Sequence, residues 1–133
     1  MLNSINALLE DGYAVLREAE LEGIDRESVP NTVVGVMGAH PQTCHFAAMA
    51  QAFYAFLHLH KLQGDNARLT LLGDNFFALF SSLMIPLDSP WLIDTFAQRL
   101  EDECSDEGPG ENYETFLKRT CKVYVESESE HRP

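Results

Sequence analysis

Two apolar runs, each followed by a turn and then by an apolar stretch of helical length, set the pattern of this chain. The first, Thr32 to Met37, is β-branched and uncharged, the composition of a strand covered on both faces. It leads through Gly38-Ala39-His40-Pro41-Gln42 into a long apolar segment from Thr43. The second, Ala67 to Leu72, puts Leu69 and Leu71 on one side at period two and ends at Gly73-Asp74-Asn75, ahead of Phe76 to Met84. Two such units in succession predict β-α-β-α with parallel strands and both turns at one sheet edge. Lys122-Val123-Tyr124-Val125 alternates like a third, edge strand.

Helical spacing supplies the other elements. Residues 3–21 predict an amphipathic helix with Ile5, Leu8, Leu9, Gly12, Leu16 and Ala19 on one stripe. Gly12 inside a helix costs about 1 kcal/mol against alanine, which marks close packing on that face. Ile24 to Asn31 is a connection. Thr43 to about Gln63 is apolar on nearly every face and predicts the most buried helix, ended by Gly64-Asp65-Asn66. Phe76 to Met84 is a third helix, closed by Pro86. Ser89-Pro90, a capping residue and then proline at the first helical position, starts a fourth. Gly108-Pro109-Gly110 breaks the chain, and Asn112 to Thr120 forms a short helix. Residues 126–133 lack apolar content and predict a disordered acidic tail beyond a single globular domain over 1–125.

The expected fold class is therefore α/β: a small three-layer-like domain with a short, mostly parallel sheet of about three strands and four to five helices. The second reading is all-α, with 67–72 and 76–84 joined in one helix. That reading places Gly73-Asp74-Asn75, three poor helix formers, mid-helix. A helical-hairpin repeat is disfavoured, because no second copy occurs at the period such repeats need.

Charge alters this picture mainly by its placement. The net charge is −12. Residues 1–27 carry −5, residues 28–93 carry −1 and residues 94–133 carry −6. A near-neutral middle between acidic ends reads as a buried centre with solvated flanks. Such a field disfavours nucleic acid and anionic lipid and favours basic partners. Three cysteines without a C-x-x-C pair argue against a disulfide framework. The N-terminus has no basic flank and meets Glu10 and Asp11 early, which argues against a signal peptide. The stretch from Gln42 to His60 suits a helix buried in protein better than one in lipid. A cytoplasmic protein is expected.

The parallel sheet would bring chemistry together at its edge, beyond the carboxyl ends of the strands. The catalytic candidates there are Cys44, favoured as thiolate by a helix start, His40 as its base and Asp74 to orient the histidine. Gly38, Thr43, Gly73 and Asn75 would line the ligand. The bland reading is that Asp74 and Asn75 turn the chain, His40 is a loop histidine and Cys44 a small buried hydrophobe. No cofactor is expected, since there is neither a dinucleotide fingerprint nor a phosphate-binding P-loop. No metal is expected either: His45 and His58 on one helix stand about 20 Å apart along its axis.

Seven acids and no base lie between Glu101 and Glu114. Read functionally, Glu101, Asp102, Glu103, Asp106 and Glu107 form a docking surface for a basic protein, with Tyr113, Phe116 and Trp91 as aromatic anchors. Two functions follow. One is a small acidic non-enzymatic protein that binds a protein partner as inhibitor, immunity-type protein, adaptor or chaperone, with a homodimer as a further outcome of open sheet edges. The other is a small α/β enzyme or ligand-binding domain using the loops after the first two strands.

Overall fold

The structure is a computed structural model and describes residues 1–62 and 66–130. Its regular elements are α1 (Leu2–Leu8), α2 (Glu10–Ala14), α3 (Glu18–Glu22), α4 (Ser28–Met37), α5 (Thr43–Leu62), α6 (Ala67–Met84), α7 (Pro90–Cys104) and α8 (Tyr113–Glu130). A 3-10 turn, Ile85–Leu87, follows α6. The described residues contain no strand, so the fold is all-helical and the expected α/β sheet is overturned.

Each expected strand is part of a helix, for a physical reason. Val29, Val33 and Met37 fall at i, i+4 and i+8 and are buried along one side of α4, while Gly35 and Val36 face outward. Pro30 sits in the first turn of α4, where its missing N–H is harmless. Asp25 accepts from the amides of Glu27 and Ser28 at the entry to this helix. Residues 67–72 open α6, whose Asn66 cap accepts from Arg68 N and Leu69 N. Leu72, Phe76, Phe80 and Leu83 are buried at helical spacing, and Gly73, turned inward, lies against Leu59 and Phe56 of α5. Asp74 and Asn75 point to solvent. Their propensity cost, under about 1 kcal/mol each, is outweighed by burial of about 1.5–3 kcal/mol per large apolar side chain. Residues 122–125 continue α8, carrying Tyr124 inward after Phe116, Leu117, Thr120 and Cys121.

α8 also runs through 126–130, the first part of the expected disordered tail, while 131–133 lie outside the described residues. So do Gly64 and Asp65 of the expected turn after α5.

The single helix expected over 3–21 is instead α1, α2 and α3, with breaks at Leu9 and at 15–17, and its stripe turns inward from Ile5 to Leu16 but leaves Ala19 exposed. The close packing at Gly12 is real: a Cβ there would stand 2.7 Å from Leu79 Cδ1 and 2.8 Å from Phe76 Cε1. α5 is buried on almost every face, as expected, and α1, α4 and α6 pack around it. Phe53 is its hub, in ring contact with Phe80 of α6, Phe96 of α7 and Tyr113 of α8 at centroid distances of 5.1, 5.1 and 5.9 Å. Ala67–Leu87 is, by length and composition, apolar enough to cross a membrane; here its inner face packs on α5.

The α1–α3 segment is tied down by one ion pair. Glu20 accepts from Arg68 Nη2 at 2.8 Å and Nε at 3.1 Å, and from the amide of Arg17 at 2.8 Å. The guanidinium first, then that amide, hold the Glu20 carboxyl down at about 2. A carboxyl lowered on folding stabilises the native state above its unfolded value near 4.5 and loses that contribution as pH falls toward 2. Glu20→Gln is therefore expected to melt below the wild type at pH 7, with the two melting curves converging between pH 4.5 and 2. A gap that stays constant across that range counts against the pairing.

Candidate functional site

The loss of the sheet separates the residues expected at its edge. Gly38 ends α4 with a φ of +58°, a conformation that favours glycine, and its carbonyl accepts from Thr43 Oγ1 at 3.0 Å. Gly38 and the buried Thr43 thus close the α4–α5 corner. His40 Nδ1 accepts from the Gln42 amide at 3.0 Å, and its ring stands edge-on to Tyr124 with centroids 6.0 Å apart. Cys44 is half-buried in the first turn of α5. Gly73, Asp74 and Asn75 lie in the middle of α6. Among the described residues no hydrogen bond links Cys44, His40 and Asp74, so no nucleophile–base–orienter chain is assembled. No group of three metal-ligating side chains occurs among the described residues.

The expected acidic docking segment divides into two parts. Glu101, Asp106 and Glu107 are exposed, and Asp102 accepts from Gln98 Nε2 at 3.0 Å. Glu103 turns inward between Arg99 and Lys61, at 3.5 Å from each. Tyr113 and Phe116 are structural. The Tyr113 hydroxyl donates to Ala50 O at 2.8 Å, and burial pushes that phenol well above its ordinary value. Phe116 is buried, edge-on to Phe96 at 5.2 Å. Phe116 has no face left for a partner, Tyr113 keeps part of its ring open to solvent, and Trp91 is 39% exposed. Cys121 is buried beside them, and desolvation raises its thiol to about 12, which leaves it inert.

A different surface has the form of a binding site. α7 packs on α8 and leaves an apolar groove of about 300 Å³ against α6. Phe77, Phe80 and Met84 form one wall, Ile93, Ala97 and Leu100 the other, with Phe53 and Phe96 as floor. Among the described residues Ser81 is the one polar residue lining it. Ile85 and Ile93 at its lip are 77% and 51% exposed. The wall on α7 repeats at i, i+4 and i+7, while Asp94 and Glu101, both exposed, lie about 100° further round the helix and Asp94 lines a separate cleft. On α6, Asp74 stands one turn before Phe77 on the same face. No lysine or arginine lines the groove. The sequence carried half of this signal, since the apolar stripe of α7 is wider than its buried residues Leu92 and Phe96 require.

Comparison with protein-family models, with curated proteins and with solved structures gives no match to this chain. The functional argument rests on the surface itself.

Proposed function

We propose that this chain is a non-enzymatic binding module that seats a basic amphipathic helix of a partner protein in the groove between α6 and α7. It would act as an adaptor, inhibitor, immunity-type protein or chaperone. The apolar groove on a chain of net charge −12 supports this reading. A helix laid in such a groove buries residues at i, i+3, i+4 and i+7 and leaves its flanking positions over the rims. The net charge of −12 would speed the approach of basic flanks. The same charge disfavours an anionic membrane as occupant.

A synthetic helix with Leu at i, i+3, i+4 and i+7 and Lys elsewhere provides the test. It is expected to bind one-to-one at low ionic strength, to weaken as salt rises, and to lose about tenfold or more in affinity to Ile93→Asp. The exposed Ile93 makes that variant compatible with folding. Equal affinity for Ile93→Asp, or for a peptide with Glu in place of Lys, overturns the reading. So does uptake of the protein by neutral lipid vesicles that shields the groove while the peptide goes unbound.

A further inference from the structure

Arg99 is the residue that the packing of the core leaves unexplained. It is 4% exposed, and its guanidinium lies over the rings of Phe116 at 5.0 Å and Tyr113 at 5.7 Å. Its one ion pair is Glu103 at 3.5 Å, through Nη2, which is long for a charge-assisted hydrogen bond. Nε and Nη1 are buried with no hydrogen-bond partner. A buried cation is tolerated when acceptors satisfy it, and among the described residues two of its N–H groups have none.

Arg99 lines two clefts, of about 420 and 310 Å³, which also share Pro109 and Glu111 of the loop before α8. Their charges differ. The smaller adds Asp94 and Asp102 against Arg119, which leaves it with an excess of one negative charge. The larger adds Lys61, His58, Tyr54 and Asn112. In its lining Lys61 and Arg99 face Glu103 and Glu111, so the charges balance, and Glu111 is itself paired with Arg119. Past Tyr54 the surface turns acidic again at Asp25 and Glu114. Any anion bound there is therefore limited to one charge, held by the incompletely paired Arg99, because a second would meet carboxylates.

The walls of the larger cleft are planar. Tyr54 is near-parallel to Tyr113 at 6.1 Å and 22°, and to His58 at 6.5 Å and 27°. A flat apolar body fits along these rings. The volume matches that of a small-molecule site.

We propose that the cleft between the second half of α5, α7 and the start of α8 binds a small planar monocarboxylate, its carboxylate on Arg99 and its ring along Tyr54 and Tyr113. The site is separate from the α6–α7 groove, and either can fail without the other.

Benzoate is the probe, titrated into the full chain by calorimetry with aromatic-proton NMR to place it. Binding is expected one-to-one with a dissociation constant of about 0.1–1 mM, the range open to so small a ligand. The Tyr54 and Tyr113 ring signals shift. Benzyl alcohol, which lacks the charge, and acetate, which lacks the ring, each bind about tenfold more weakly. Arg99→Lys keeps the charge but not the planar fork and weakens benzoate about tenfold. Lys61→Gln, at a side chain 64% exposed and so safe for folding, weakens it about threefold. The proposal is overturned by absence of benzoate binding, by equal binding of benzyl alcohol, or by full affinity in both variants. It is equally overturned by shifts at Phe77 and Phe80 of the groove instead, or by inorganic phosphate binding where benzoate does not.

Discussion

Phe53→Ala is expected to lower the unfolding free energy by about 3–5 kcal/mol, the cost of emptying a buried aromatic site that its neighbours cannot close. Phe53 is fully buried on α5, and its ring meets rings from α6, α7 and α8. Those three helices do not all pack on one another, so removing the ring leaves a void with walls from separate elements. The total stability of a domain of this size is about 5–15 kcal/mol. At the lower end of that range such a loss leaves the variant partly unfolded at 37 °C. Urea unfolding followed by circular dichroism measures it directly. A loss under about 1.5 kcal/mol would mean that the four helices do not meet at this ring.

Asp74→Pro should cost about 3 kcal/mol or more, although Asp74 is exposed and touches nothing that packing would miss. The whole effect is backbone: proline mid-helix removes a hydrogen bond and clashes with the carbonyl one turn earlier. Gly73→Ala, one residue away, should act in the opposite direction and gain about 0.5–1 kcal/mol. Its new Cβ would meet Leu59 and Phe56 at 3.8 Å, an ordinary contact. The pair isolates the conformation of 73–75. In a turn joining strand to helix the proline would be nearly neutral. Chemical denaturation of both variants decides it.

The segments that misled the pattern reading are short, and each carries an exposed apolar residue. Leu71 is 69% exposed, and with Leu69 it imitates a period of two; the period of 3.6 emerges only when Leu72, Phe76 and Phe80 are counted with them. Val36, 38% exposed, does the same in α4, making a one-sided helix look covered on both faces. Six residues do not separate the two periods. Where capping chemistry or length was decisive the reading held, as in the span of α5 and the Ser89-Pro90 start of α7. Ser89 does accept from the Leu92 amide at 3.1 Å.

The surfaces were less legible, because they depend on distance across the fold. The groove needs Phe77 opposite Ile93, a relation set by how α7 leans on α8. The burial of Arg99 needs Phe116 and Tyr113 brought beneath it from another helix. In the sequence Arg99 is one base ahead of an acidic run. Tyr113 and Phe116 were visible as aromatics, but nothing local distinguishes an anchor for a partner from a floor for a guanidinium.

The position of α5 in chain order has a consequence for biosynthesis. It is the most enclosed helix, yet α6 and α8, which cover much of it, leave the ribosome later. At about 5–20 residues per second, a stalled or slow nascent chain displays the face of this twenty-residue helix that α6 covers for seconds before α6 emerges. Yield in cells should therefore depend more on translation speed past α6, and on chaperones holding that face, than on the equilibrium stability of the finished protein.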